Sequence, residues 1–97
     1  MTKDKVKTIW KFELLVEDFQ TVSMPQDSKV LTVQVQQGKV CIWALVDPND
    51  TCKIDCPIWI HGTGHPVTNA AVFGRYVSSV QLDDGALVFH VFVGAGV

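Results

Sequence analysis

Apolar and polar positions alternate along most of the chain. From Thr8 to Leu15, Trp10, Phe12 and Leu14 fall on one side and Lys11 and Glu13 on the other. A period of two marks a strand with one buried face. Phe19 to Met24 reads as a short strand, stopped by Pro25, which has no N–H to give to a ladder. Lys29 to Gln36 sets Val30, Thr32, Gln34 and Gln36 against Leu31, Val33 and Val35, and Gln37-Gly38 supplies a hairpin turn. Val40 to Val46 returns mostly apolar, which predicts cover on both faces. Asp47-Pro48-Asn49-Asp50 breaks it. Ile54 to His61 is a fifth strand, with Ile58 and Ile60 facing one way and Trp59 the other. After Gly62-Thr63-Gly64-His65-Pro66, the stretch Val67 to Val72 has room for one helical turn. Arg75 to Leu82 places Tyr76, Ser78, Val80 and Leu82 on one side. Asp83-Asp84-Gly85 turns the chain, and Ala86 to Val93 comes back apolar.

Seven short strands predict an all-β fold, a small antiparallel β-sandwich or partly open barrel with at most one short helical turn. Residues 1–97 read as a single domain, with 1–6 and 94–97 expected to be flexible. The three Trp and five Phe are expected to dominate the core, at roughly 1.5–3 kcal/mol for each one buried. A sandwich of this size covers one face per sheet. The two-faced apolar strands Val40–Val46 and Ala86–Val93 therefore predict an intermolecular surface, most simply a homodimer and otherwise a higher homo-oligomer.

Composition narrows the function classes. A 97-residue chain with 47% hydrophobic and 19% charged residues should fold. A net charge of −2 and a pI of about 5.8 argue against general nucleic-acid binding through a basic patch. No apolar run approaches the roughly 20 residues of a membrane span. The charged stretch from Met1 to Lys7 lacks the apolar centre of a signal peptide, so a cytoplasmic protein with reduced thiols and no membrane contact is expected.

Four groups of residues could carry chemistry. Cys52, Cys56, His61 and His65 have the spacing C-x3-C-x4-H-x3-H, which suggests zinc. Geometry opposes it: along a strand Cys56 and His61 would stand roughly 16 Å apart on opposite faces. No metal or other cofactor is expected, and the four residues remain an alternative. The turn His61-Gly62-Thr63-Gly64-His65 could instead expose backbone N–H groups, a hydroxyl and two imidazoles to an anion, or serve only as a tight connection. Trp43, Trp59, Tyr76 and Phe89 could stack on a base, fill a partner's pocket or simply pack in the core, and Arg75 beside Tyr76 could add a cation to an anion-and-stacking site. A hydrolase with His61 or His65 as base lacks any nucleophile signature, and His90, between Phe89 and Val91, reads as a hydrogen-bonded structural histidine.

Several segments are characteristic when taken in order. They are Thr8-Ile-Trp-Lys-Phe-Glu13, Leu31-Thr-Val-Gln-Val-Gln36, Cys41-Ile-Trp-Ala-Leu-Val-Asp-Pro48, Gly62-Thr-Gly-His-Pro66 and Gly85-Ala-Leu-Val-Phe-His-Val-Phe92. From about Lys7 to Val93 the chain resembles a family of short phage and prophage proteins known only as a domain of unknown function. Cys52 and Cys56 stand outside that pattern, and the segment 49–56 is expected to vary in length. The resemblance implies a small accessory protein in a bacterial host cell, one that binds a host component. It could do so as an anti-defence inhibitor, sequestering a phosphate-containing ligand or covering a host protein. The alternative it leaves is a virion or assembly protein with no host target.

Overall fold

The computed structural model describes residues 6–97. The alternation folds into seven strands: β1 (Thr8–Glu13), β2 (Phe19–Pro25), β3 (Lys29–Gln36), β4 (Lys39–Val46), β5 (Lys53–Gly62), β6 (Arg75–Leu82) and β7 (Leu87–Val93). They form two antiparallel sheets, one of order β1-β4-β3 and one of order β2-β5-β7-β6. The sheets stack as a sandwich without closing into a barrel, and edge strands β3 and β6 run beside each other where the sheets meet. One short helix, α1 (Asn69–Phe73), lies between β5 and β6. It is capped by the Thr68 hydroxyl, which accepts from the Ala71 N–H at 3.3 Å. The β3–β4 hairpin turns through Gln37 and Gly38, both at positive φ (52° and 78°). That geometry matches the right-handed twist of the strands it joins.

The core is aliphatic. Val30, Val33, Val40, Ile42, Ala44 and Val46 from the first sheet meet Met24, Cys56, Ile58, Ile60, Val80, Val91 and Val93 from the second. This corrects the expectation that Trp and Phe dominate it. Trp10, Phe12 and Phe89 only border the core, and Phe19 and Phe73 are 50% and 81% exposed. The register places Trp43, Trp59 and Phe92 on outward positions. A layer filled by branched aliphatic side chains, with sheets about 10 Å apart, leaves little width for rings.

Two β-bulges redirect side chains that strict alternation misplaces. The bulge between Val30 and Thr32 returns Val30 to the core with Val33 and Val35, and turns Thr32, Gln34 and Gln36 outward. The bulge between Tyr76 and Ser78 takes Tyr76 off the face of Ser78 and Val80 and sets it opposite Phe92. An extra residue inverts the alternation on one side of the bulge.

The C-terminal tail is hydrogen-bonded to the four-stranded sheet. The Gly94 N–H donates to Pro57 O at 3.0 Å and the Val97 N–H to Gly94 O at 3.3 Å. The Val97 carbonyl accepts from the Arg75 guanidinium at 2.8 Å, and Val97 is only 9% exposed. At the other end Val6 is exposed, and the expectation for residues 1–5 lies outside the described residues. No described helix is long and apolar enough to cross a membrane.

Candidate functional site

The outer face of the four-stranded sheet carries a row of rings. Register sets Phe19 opposite Trp59, Trp59 opposite Phe92, and Phe92 opposite Tyr76, so one aromatic residue stands on each strand. Ring centroids lie 5.5 Å apart for Phe19 and Trp59 and 5.2 Å for Phe92 and Tyr76, the latter pair edge to face. These are favourable aromatic geometries. Phe19 and Tyr76 remain half exposed at the two ends of the row.

The next row holds His61, His90 and Ser79. His90 is bonded at both ring nitrogens: Nδ1 lies 2.9 Å from the Tyr76 hydroxyl and Nε2 lies 2.8 Å from Thr63 Oγ1. A neutral imidazole has one donor and one acceptor, so the Tyr76–His90–Thr63 chain runs in one direction or the other, and an imidazolium would donate at both ends. Either way the ring holds the Tyr76 hydroxyl in place. His61 is 5% exposed, packs near Phe92, and its buried Nε2 has no hydrogen-bond partner among the described residues. Thus His90, read from sequence as a structural histidine, sits at the centre of the site. Its signal was the β6–β7 pairing, which needs the bulge to align it with Tyr76.

The Gly62–Pro66 turn closes this face. The Thr63 N–H donates to Val88 O at 3.1 Å and the His65 N–H to Gly62 O at 3.0 Å, so two of the N–H groups expected to meet an anion are committed. The His65 ring lies against Gly62, where a Cβ would stand 2.9 Å from it. Gly62, Thr63 and His65 border a shallow hollow of about 300 Å³ with Leu87, Val88 and Phe89. Gly64, at φ +86°, has open space around it.

Two sequence candidates lie elsewhere. Arg75 and Tyr76 are adjacent on β6 but face opposite sides, with Arg75 set opposite Val93 and Tyr76 opposite Phe92. One guanidinium nitrogen, Nη2, donates to Val30 O at 2.7 Å and Val97 O at 2.8 Å. Trp43 stands on the outer face of the other sheet, beside Ile9, Leu31 and Thr32. Neither joins Tyr76 and the turn.

The Cys52, Cys56, His61 and His65 set does not converge either. Among the described residues no three His, Cys, Asp or Glu side chains group to hold a metal. Cys52 is exposed and Cys56 is buried. Burial pushes the Cys56 thiol up to about 11, outweighing the lowering effects of the Gly94 N–H and of Arg75. A buried neutral thiol is a poor nucleophile. In the native protein, iodoacetamide at neutral pH should therefore alkylate Cys52 and spare Cys56, with mass spectrometry of the peptides as the readout. Because the folded value is raised, the neutral thiol's contribution is intact below the ordinary value of 9.0 and is lost as pH rises toward about 11. A melting temperature that falls through that window, and falls less in Cys56→Ala, is expected.

The face of β1-β4-β3 carries Lys11, Lys29 and Lys39 around Ile9, Trp43 and Leu45, with Glu13 paired to Lys39 at 3.1 Å. On the aromatic face Asp55 lies opposite Ser23, and Lys53, two residues earlier on the same strand, lies opposite Pro25. Lys53 is drawn off toward the Trp10 ring, 5.6 Å from its centroid.

A family model described as a domain of unknown function, DUF7352, matches residues 5–96. The chain belongs to this family. No curated protein and no solved structure matches it. The match spans both sheets, so the aromatic row and the Tyr76–His90–Thr63 chain both lie within the DUF7352 domain.

Proposed function

We propose that this DUF7352 chain is a binding protein, encoded by a phage or prophage, that acts on a host protein through the outer face of its four-stranded sheet. The observation that carries the reading is the aromatic row Phe19–Trp59–Phe92–Tyr76 on the outer face of the sheet, with Phe19 and Tyr76 half exposed at its ends. Exposed large apolar patches mark interaction sites, and Trp and Tyr anchors surrounded by polar groups are the usual energetic centre of a protein interface. The row crosses all four strands of the sheet, an extent that suits a macromolecular surface better than a small molecule. The phosphate-ligand reading draws less support, because Arg75 and two N–H groups of the turn are already bonded within the fold.

The test is affinity capture from host extract with wild-type protein and with Phe19→Ala/Tyr76→Ala. Both residues are about half exposed, so the variant should still fold, with a melting temperature lowered by the lost ring contacts and the lost Tyr76–His90 bond, and near-UV circular dichroism checks the fold. The expected result is a stoichiometric host protein retained by the wild type and released by the variant. Equal retention by both, retention of only a phosphate compound, or incorporation into virions with no host partner would overturn the reading.

A further inference from the structure

We infer that Thr63, His90 and Tyr76 form a hydrolytic site for small acyl esters, with Thr63 as nucleophile and His90 as its base. Thr63 Oγ1 lies 2.8 Å from His90 Nε2, and the Tyr76 hydroxyl lies 2.9 Å from Nδ1 of the same ring. A hydroxyl bonded to an imidazole whose other nitrogen is held by a third group is the arrangement that activates a nucleophile. Neither other histidine offers it. His61 is buried with Nε2 unpartnered among the described residues, and the His65 ring packs against Gly62. Thr63 and His90 stand 27 positions apart in sequence, so no local motif announces the pair.

The surroundings of Thr63 separate this chain of bonds from one that only ties the sheet together. Thr63 is exposed and borders the hollow of about 300 Å³ whose wall of Leu87, Val88 and Phe89 can seat a short acyl chain. The N–H groups of Thr63 and His65 are committed, whereas that of Gly64 has no acceptor among the described residues and stands beside open space. The N–H of the residue after a nucleophile is a common donor to the oxyanion of a tetrahedral intermediate.

In the first step Thr63 Oγ1 bonds to the ester carbonyl carbon as its proton passes to His90 Nε2. The bond from that carbon to the alcohol oxygen then breaks, and His90 returns the proton to the leaving alcohol. Water next attacks the carbonyl carbon of acyl-Thr63 and gives a proton to His90. The carboxylic acid leaves as Oγ1 takes that proton back. For His90 to accept at Nε2, its own proton must sit on Nδ1 and be donated to the Tyr76 oxygen. Tyr76 is thus a positioning residue that holds the working tautomer. A neutral phenol supports an imidazolium less than a carboxylate does, so turnover should be slow and favour esters with good leaving groups. The inference concerns this chain of bonds alone, so its failure leaves the proposal of a host target standing.

A fluorophosphonate, which attacks activated hydroxyls, and p-nitrophenyl butyrate are the probes. Mass spectrometry of the peptides should place the fluorophosphonate on Thr63 in the wild type and find none there in His90→Gln. Hydrolysis of the ester should fall about 100-fold in Thr63→Ala and in His90→Gln, the scale of a lost general base, and Thr63→Ser should retain it. Tyr76→Phe should lower kcat severalfold at unchanged KM, a split that mere loosening of the fold would not give. Near-UV circular dichroism checks each variant, and because Thr63 is exposed its variants decide the matter even if His90→Gln fails to fold. No label on Thr63, a label that survives in folded His90→Gln, or hydrolysis that Thr63→Ala keeps would overturn the inference.

Discussion

Gly74→Ala should unfold the protein or cost it on the order of 3 kcal/mol or more, the upper range for forcing a group into filled space. Gly74 follows α1 with φ −80°, a value open to any residue, so the objection is space alone. A Cβ there would run into the Val93 carbonyl oxygen and would also approach Ala71 O at 3.3 Å. Both neighbours are backbone. Val93 O belongs to β7, and Ala71 O already accepts from the Gly74 N–H at 3.0 Å. Relief would require pulling α1 off the sheet or breaking the start of the β6–β7 pairing, where Arg75 lies opposite Val93. Gly64→Ala is the control. It has open space around it but sits at φ +86°, so it should cost only about 1 kcal/mol. Urea denaturation of both variants measures the difference, and a Gly74→Ala midpoint equal to that of the wild type would refute the steric account.

Arg75→Ala should lower stability by about 3 kcal/mol, since hydrogen bonds from a charged donor contribute roughly 1.5–3 kcal/mol each. The guanidinium of β6 reaches Val30 O in the opposite sheet and Val97 O in the tail, so it ties both to one point. Removing it leaves two carbonyls without that donor and frees the tail. Arg75→Lys should recover part of the loss, because both bonds come from the one nitrogen Nη2 and an ammonium also offers several donors, though from a shorter side chain. Deleting residues 95–97 should reproduce the Val97 share. Thermal melts separate this role from the ligand-binding one suggested by the neighbouring Tyr76. A binding arginine would leave the melting temperature in place and affect only capture, whereas a structural one moves the melt first.

Strand positions were legible because the period of two is a local property of backbone geometry. Val40–Val46 and Ala86–Val93 were recognisable as two-faced, and their outward residues, Trp43 and Leu45 on one and His90 and Phe92 on the other, make the surfaces discussed above. The candidate site was legible only in parts. His61, Thr63 and Tyr76 were singled out and do meet on one face. His90, read as a hydrogen-bonded histidine, is bonded at both ring nitrogens, whereas Arg75 and Trp43 were grouped with residues from which the fold separates them. Adjacency in sequence joined Arg75 to Tyr76, whereas neighbours on a strand point to opposite faces.

By itself, then, the sequence determined the strands, their turns and the all-β class, since alternation, Gly38 and the Pro and Asp breaks act over a few residues at a time. Tertiary structure decided what those strands present. Strand order brought Phe19, Trp59, Phe92 and Tyr76 from distant parts of the chain into one row. The bulges at Val30/Thr32 and Tyr76/Ser78 settled which side chains enter the core and which reach the surface. Neither can be read from a local pattern, because a bulge is selected by how one sheet must pack on the other, and that packing exists only once both have formed.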